Sequence, residues 1–409
     1  MKNNTSQTIS NDAAQFAQQT VFSILFTISL SHCINDLLQA VIPSIYPVLK
    51  TKFNLSFSQI GLITFTYQIT ASILQPFVGF YTDRKPRPYS LIVGMSFTLL
   101  GLLAVAFADS FNHLLLSVGL IGIGSSIFHP ESSRVAHLAS GGKKGLAQSI
   151  FQLGGNAGSA IGPLLAALIV VPYGQFNVIW FCLIAFIGIL VLSRVSAWYR
   201  ERLNINARNK TAVKQETHHA LSKRRVIFSL GILLVLIFSK YFYLASITSY
   251  YTFFLIDKFH ISVQQSQLYL FVFLGSVALG TLIGGPLGDK YGRKYVIWIS
   301  ILGVAPFTLL LPYVGLFWVG VLSVIIGLIL SSAFSAILVY ATELVPGKVG
   351  LIAGLFFGLA FGMGGLGSAV LGKIADLTSI AYVFKICAFL PLIGVLTSFL
   401  PNLEHKKTA

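Results

Sequence analysis

The side chains best able to do chemistry in this chain stand inside an apolar run. His32, Asn35, Asp36 and Gln39 lie between VFSILFTISL and AVIPSIYPVL. Their spacing puts all four on one face of a helix. A carboxylate with an imidazole beside it can take up and release a proton, so Asp36 is read as a proton carrier assisted by His32. Asn35 and Gln39 add amide donors and acceptors for a substrate. The competing assignment is a hydrogen-bonded cluster that only ties helices together. A second titratable group, His129, Glu131 and Arg134, surrounds Pro130, which is expected to kink or open its helix. His129 and Glu131 join the proton-handling candidates and Arg134 the substrate-binding ones. A local Glu131–Arg134 pair is the alternative.

Two further sets complete the candidates. Lys240 falls in the middle of an apolar stretch and is followed by Tyr243 and Tyr250. An unpaired ammonium at that depth costs at least about 2.5 kcal/mol, so it calls for a partner, water or an anionic ligand. Gln148, Gln152 and Asn156 repeat every four residues, interleaved with Gly154, Gly158 and Gly162. The glycines suit close helix packing. The amides suit either a polar cavity wall or hydrogen bonds between helices.

These residues need helices to position them, and the composition supplies membrane helices. Of 409 residues, 55% are hydrophobic and 10% charged, with a mean hydropathy of +0.80. Twelve apolar segments, each long enough to cross a bilayer, are predicted at roughly 21–49, 57–82, 88–107, 112–137, 145–170, 176–198, 226–256, 264–289, 294–313, 317–342, 348–374 and 379–401. The fold class is therefore an all-α polytopic membrane protein. Cys33, Cys182 and Cys387 show no metal-ligand spacing and read as small apolar fillers. The net charge of +16 does not form one basic patch, which argues against nucleic-acid binding. Most of the 28 Lys and Arg fall in the termini and alternate loops, which places both termini in the cytoplasm. The first twenty residues lack the order of a cleaved signal peptide, and the first span is expected to be retained.

One long polar connector, 199–225, divides the chain into six helices and six. The predicted organisation is a tail at 1–20, a bundle at 21–198, a cytoplasmic linker at 199–225, a bundle at 226–401 and a tail at 402–409. The bundles repeat: a shift of 206 positions carries Lys52–Gln59 onto Lys258–Gln265, Asp83 onto Asp289, and Ser125–Phe128 onto Ser331–Phe334. Parallel halves of this kind place a substrate site between them near the midplane. The shift also lays Gln148, Gln152 and Asn156 over Gly354, Gly358 and Gly362. That suggests a cavity with amides on one wall and room for bulk on the other.

Between the eighth and ninth helices runs Gly285-Pro-Leu-Gly-Asp289-Lys-Tyr-Gly292-Arg293-Lys. This resembles the loop signature of the major facilitator superfamily. An Asp at a helix end, paired with loop cations, would latch neighbouring helices, and glycines permit the turn. The first copy, Gly79-Phe-Tyr-Thr-Asp83-Arg-Lys-Pro86-Arg87-Pro88, has proline in place of the turn glycine. An Asp83–Arg87 pair is still expected. Gly158-x-x-x-Gly162-Pro163 resembles the superfamily's antiporter motif, with Ser149 and Ala166 replacing its outer glycines. Val118 stands where its proton antiporters carry an arginine.

Within that superfamily the chain resembles the bacterial fosmidomycin resistance proteins, in SLSHCINDLLQAVIPSIYPVL, GSSIFHPESSRVAHLASGG, GLAQSIFQLGGN and IFSKYFYLASITSYYTF. The resemblance implies an inner-membrane, proton-driven exporter of fosmidomycin, a phosphonate bearing a hydroxamate. The expected partners are that small anion, protons and the bilayer. The chain is expected to act as a monomer, without cofactor, metal or nucleic acid. Import or export of a natural small anion, with drug export incidental, is the alternative. A membrane-embedded enzyme using His129 and Glu131 is disfavoured, because no nucleophile elbow, HExxH motif or phosphate loop accompanies them.

Overall fold

The computed structural model describes residues 20–55, 57–209, 221–261 and 263–403. Nearly all of the N-terminal tail, the middle of the connector with His218 and His219, and the last six residues lie outside them. Helices are the only regular elements among the described residues. The first half comprises α1 (Phe22–Ser44), α2 (Tyr46–Phe53), α3 (Phe57–Arg84), α4 (Ser90–Ala106), α5 (Phe111–Leu138), α6 (Lys144–Tyr173) and α7 (Ile179–Asn209). The second comprises α8 (Lys223–Phe259), α9 (Val263–Tyr291), α10 (Arg293–Ile301), α11 (Ala305–Leu310), α12 (Leu316–Ser331), α13 (Ala333–Leu344), α14 (Val349–Leu377), α15 (Ile380–Cys387) and a 3-10 helix at Leu390–Phe399. The pairs α1–α2, α10–α11 and α12–α13, and α15 with the 3-10 helix, each continue one broken rod. Each half thus holds six rods.

Ten of the described stretches are long and apolar enough to cross a membrane, and Ser90–Ala106 is a shorter apolar helix. Hydrocarbon offers backbone groups no partner, so a spanning chain must satisfy them within each helix. Large apolar side chains such as Phe26, Leu116, Leu168 and Phe317 stay exposed on the outside, as a lipid-facing surface requires. Ser110, Ser222 and Ser379 cap α5, α8 and α15 by accepting from the third residue onward.

Glycines set how closely the helices approach. In α6, side chains at Gly154 and Gly158 would collide with the carbonyls of Ser29 and Cys33 in α1, as the ladder predicted. In α14, Gly354 and Gly358 receive the carbonyls of Gln75 and Ser72 in α3 instead. The expected room for bulk beside them is therefore filled by backbone from the other half. At Pro130 the helix is not opened: α5 runs through it as one helix.

The halves meet where α3 packs on α14 and α6 on α9. One apolar core runs through the first half and into the parts of α8, α13 and α14 nearest the basic loops. A second, around Tyr243, Tyr251, Phe254 and Phe384, belongs to the second half alone. At the basic-loop end the halves close on one another, Gly79 against Gly350 and Gly145 against Gly285.

Candidate functional site

Three titratable groups converge at the interface of α1 and α5. His32 Nε2 lies 3.2 Å from Asp36 Oδ2, and His129 Nε2 lies 3.4 Å from Asp36 Oδ1. Both imidazoles are buried, and the Asp36 side chain keeps 13% of its surface open. Each ring is held from behind. His32 Nδ1 is 2.8 Å from the carbonyl oxygen of Phe151, and His129 Nδ1 is 3.0 Å from that of Ser125. A carbonyl can only accept, so both Nδ1 atoms carry the proton, and a neutral ring turns its Nε2 lone pair towards the carboxylate. Neither Nε2 is aligned as a hydrogen bond with any protein atom. Two lone pairs and a carboxylate facing one another leave a place for a positive charge. The donor atoms lie within 4.8 Å of one another, a grouping that would admit a metal ion as well as a proton.

The other predicted polar residues fall around this centre. Asn35 donates to Asp36 Oδ1 at 3.0 Å, and Gln39 Oε1 accepts from Tyr67 and Ser125. Gln148 Oε1 accepts from Ser133 at 3.2 Å. Asn156 Nδ2 donates to Thr281 of α9 at 3.0 Å, so this amide does tie helices together across the halves. Asn35 Oδ1, Gln39 Nε2, Gln148 Nε2 and Gln152 Oε1 are buried with no protein partner. These are open valences at the junction of the halves. Gly155 was not singled out in the sequence, yet any side chain there would displace the His32 ring and the Asp36 carboxylate.

Lys240 lies in α8, 3% exposed. Among the described residues no carboxylate is within ion-pair reach of it. Its neighbours are the rings of Tyr241 and Phe334, each 5.5 Å from Nζ. Tyr243 is buried in the core of the second half, with Tyr250 packed against that core. Those two tyrosines are thus placed further from the basic-loop end than Lys240.

At the basic-loop end, the second latch forms as expected: Arg293 donates to Asp289 at 3.0 Å, across a turn in which Gly292 takes a φ of +106°. The first latch differs. Asp83 is paired not with Arg87 but with Arg134 of α5, at 2.5 Å. Pro86 occupies the place of Gly292 and cannot adopt positive φ, so Arg87 is carried outward to the Tyr81 hydroxyl, 3.3 Å away. Arg134 also bonds Glu131 at 3.1 Å and the Thr82 carbonyl at 2.7 Å. Arg134 and Glu131 therefore belong to a buried latch network, which Ser90 extends through its contact with Glu131. Glu343 of α13 bridges the halves by pairing with Lys144 and Arg293 at 3.2 and 3.3 Å.

Side chains at Gly79 and Gly285 would strike the carbonyls of Gly350 and Gly145. The latch glycines are needed for this close approach.

Two helical halves with titratable and cationic groups buried at their junction define a membrane transporter. The chain belongs to the Major Facilitator Superfamily, whose family model matches residues 28–262 and 236–409. Membership makes it a transporter and not an enzyme. It is 61% identical over 388 residues to the fosmidomycin resistance protein of Escherichia coli (strain K12), covering 95% of each chain. It is 46% identical over 384 residues to the uncharacterized MFS-type transporter YfnC of Bacillus subtilis (strain 168), covering 94% of each. Among solved structures, FucP in its outward conformation aligns with a TM-score of 0.73 at 15% identity, over 94% of this chain and 100% of that one. The human organic anion transporter MFSD10 (TETRAN) also aligns at 0.73, with 16% identity, over 92% and 99%. These structural likenesses show the shared fold.

Proposed function

We propose that the protein exports fosmidomycin-like phosphonates across the bacterial inner membrane in exchange for protons. The observation that carries this reading is a division of labour between the halves. The first half gathers His32, Asp36 and His129 into a site for a proton. The second half offers Lys240, a buried cation without a carboxylate, for an anion. The 61% identical relative named for fosmidomycin resistance supplies the substrate class. The open donors Gln39 Nε2 and Gln148 Nε2 would meet oxygens of such a ligand, and the open acceptors Asn35 Oδ1 and Gln152 Oε1 would take the hydroxamate hydroxyl.

In this reading both termini face the cytoplasm, so the closed basic-loop end is the cytoplasmic gate. The bundles at 21–198 and 226–401 rock about the site as a monomer, with the Asp83 and Asp289 latches re-forming on each cycle. Everted membrane vesicles test it. Energised vesicles should accumulate labelled fosmidomycin, and an uncoupler should abolish the accumulation. Uptake indifferent to the uncoupler would refute proton exchange. The second reading, transport of a natural small anion in either direction with drug export incidental, is favoured by the same Lys240. Counterflow of labelled fosmidomycin against other small anions separates the two.

A further inference from the structure

The 206-residue repeat places four phenylalanines in an arrangement the transport reading does not use. Phe128 and Phe151 of the first half correspond to Phe334 and Phe357 of the second. All four are buried. Phe151 and Phe357, equivalent residues, touch each other across the halves, with ring centroids 6.2 Å apart and planes at 83°. Two equivalent residues in contact must lie beside the axis that relates the halves.

The first-half rings face His32, and the second-half rings face His129 and Lys240. Phe151 stacks on His32 at 4.0 Å, and Phe128 lies 5.9 Å from the same imidazole. Phe357 contacts His129 at 5.3 Å on one side and Phe334 at 5.1 Å on the other. Phe334 in turn covers Lys240. Among the described ring contacts, every path from the titratable triad to Lys240 passes through Phe357.

We propose that Phe357, seated on Phe151, is a positioning residue: an aromatic partition that keeps the proton site and the anion site from exchanging protons directly. It rests on the proton-exchange reading above. A proton moves along hydrogen-bonded atoms, and phenyl rings offer neither donors nor lone pairs to carry it. A tightly filled aromatic constriction also excludes the water that would bridge the gap. Without the partition, a carboxylate and an ammonium at the same junction would be free to close into an ion pair, abolishing both sites at once. With it, proton and substrate can influence each other only through movement of the halves, which coupled exchange requires.

The test uses the full chain in proteoliposomes with a pH-sensitive dye inside. Substrate-free proton leak is measured under an imposed membrane potential, and proton flux is then compared with labelled fosmidomycin flux. Phe357→Ala should raise the leak roughly tenfold, about 1.36 kcal/mol on the barrier, and lower the substrate moved per proton. Phe357→Leu should leak as well, and it decides the matter if the alanine variant does not fold. Phe357→Trp, whose indole N–H donates but cannot accept and so cannot relay a proton, should stay tight, an outcome that general loosening of the fold would not show. Leucine and alanine variants that bind substrate, stay as tight as the parent and keep its coupling would overturn the partition. The leak needs no substrate, so it judges the partition even if the parent shows no substrate-driven proton flux. That last outcome would contradict the exchange reading instead.

Discussion

Asp83 and Asp289, 206 positions apart, each cap a helix in the opposite half. Asp83 accepts from the amides of Gly350 and Leu351, at 3.0 and 2.8 Å, the second and third residues of α14. Asp289 accepts from Gly145 and Leu146, both at 3.0 Å, the second and third residues of α6. A carboxylate there satisfies orphan amides and meets the positive end of the helix dipole. Because each cap is made between halves, it exists only while the basic-loop end is closed. The loop motif is thus a pair of reciprocal clasps, and in the proposed transport cycle its charges would bias a two-state equilibrium.

Neutralising one clasp should open that end. With about 1–2 kcal/mol lost per carboxylate, Asp83→Asn or Asp289→Asn should shift the open-to-closed ratio by about 5–30-fold. Single cysteines placed on the two sides of the junction read this out as faster labelling from the basic-loop side and slower labelling from the other. Labelling and transport that both match the parent would reduce Asp289 to a surface charge.

The Arg134 network should behave as a buried unit. Glu131 is fully buried, so Arg134→Met leaves a charge without its partner and should destabilise the protein by about 3–5 kcal/mol. Adding Glu131→Gln should recover much of that loss. Thermal unfolding of the single and double variants in detergent checks this. Equal losses in both would mean that the pair carries no mutual stabilisation.

Much of this was legible in the sequence. The apolar runs, the repeat and the charge asymmetry define the fold because a bilayer permits so few solutions. The stripe from His32 to Gln39 marked the polar centre, since helical spacing alone puts those residues together. What escaped was long-range pairing. Nothing local indicated that Asp83 would choose Arg134 over Arg87, although Pro86 was a signal that the first turn could not copy the second. Glu343 was not singled out because its partners, Lys144 and Arg293, lie far away in the chain. The open space beside Gly354 and Gly358 was misjudged because a glycine permits either a cavity or a close helix, and only the position of α3 decides between them.

Lys240 gives a sharper test of substrate chemistry. Lys240→Gln should weaken phosphonate binding and transport far more than transport of any neutral substrate the protein accepts. Lys240→Arg should rescue poorly, because a guanidinium is larger and forked and the site is closed by Phe334. Binding of labelled fosmidomycin is measured across pH in parent and variant. A dissociation constant unchanged at every pH would remove Lys240 from the site.

The central claim is that a proton held by Asp36, between His32 and His129, drives the substrate. Asp36→Asn removes that proton site while keeping the shape of the residue. The most direct measurement sets two assays on the same proteoliposomes: accumulation of labelled fosmidomycin driven by an imposed pH gradient, and counterflow with no gradient. The parent should perform both. Asp36→Asn should lose gradient-driven accumulation and retain counterflow. Uphill accumulation by a well-folded Asp36→Asn protein at the parent's rate would contradict the assignment.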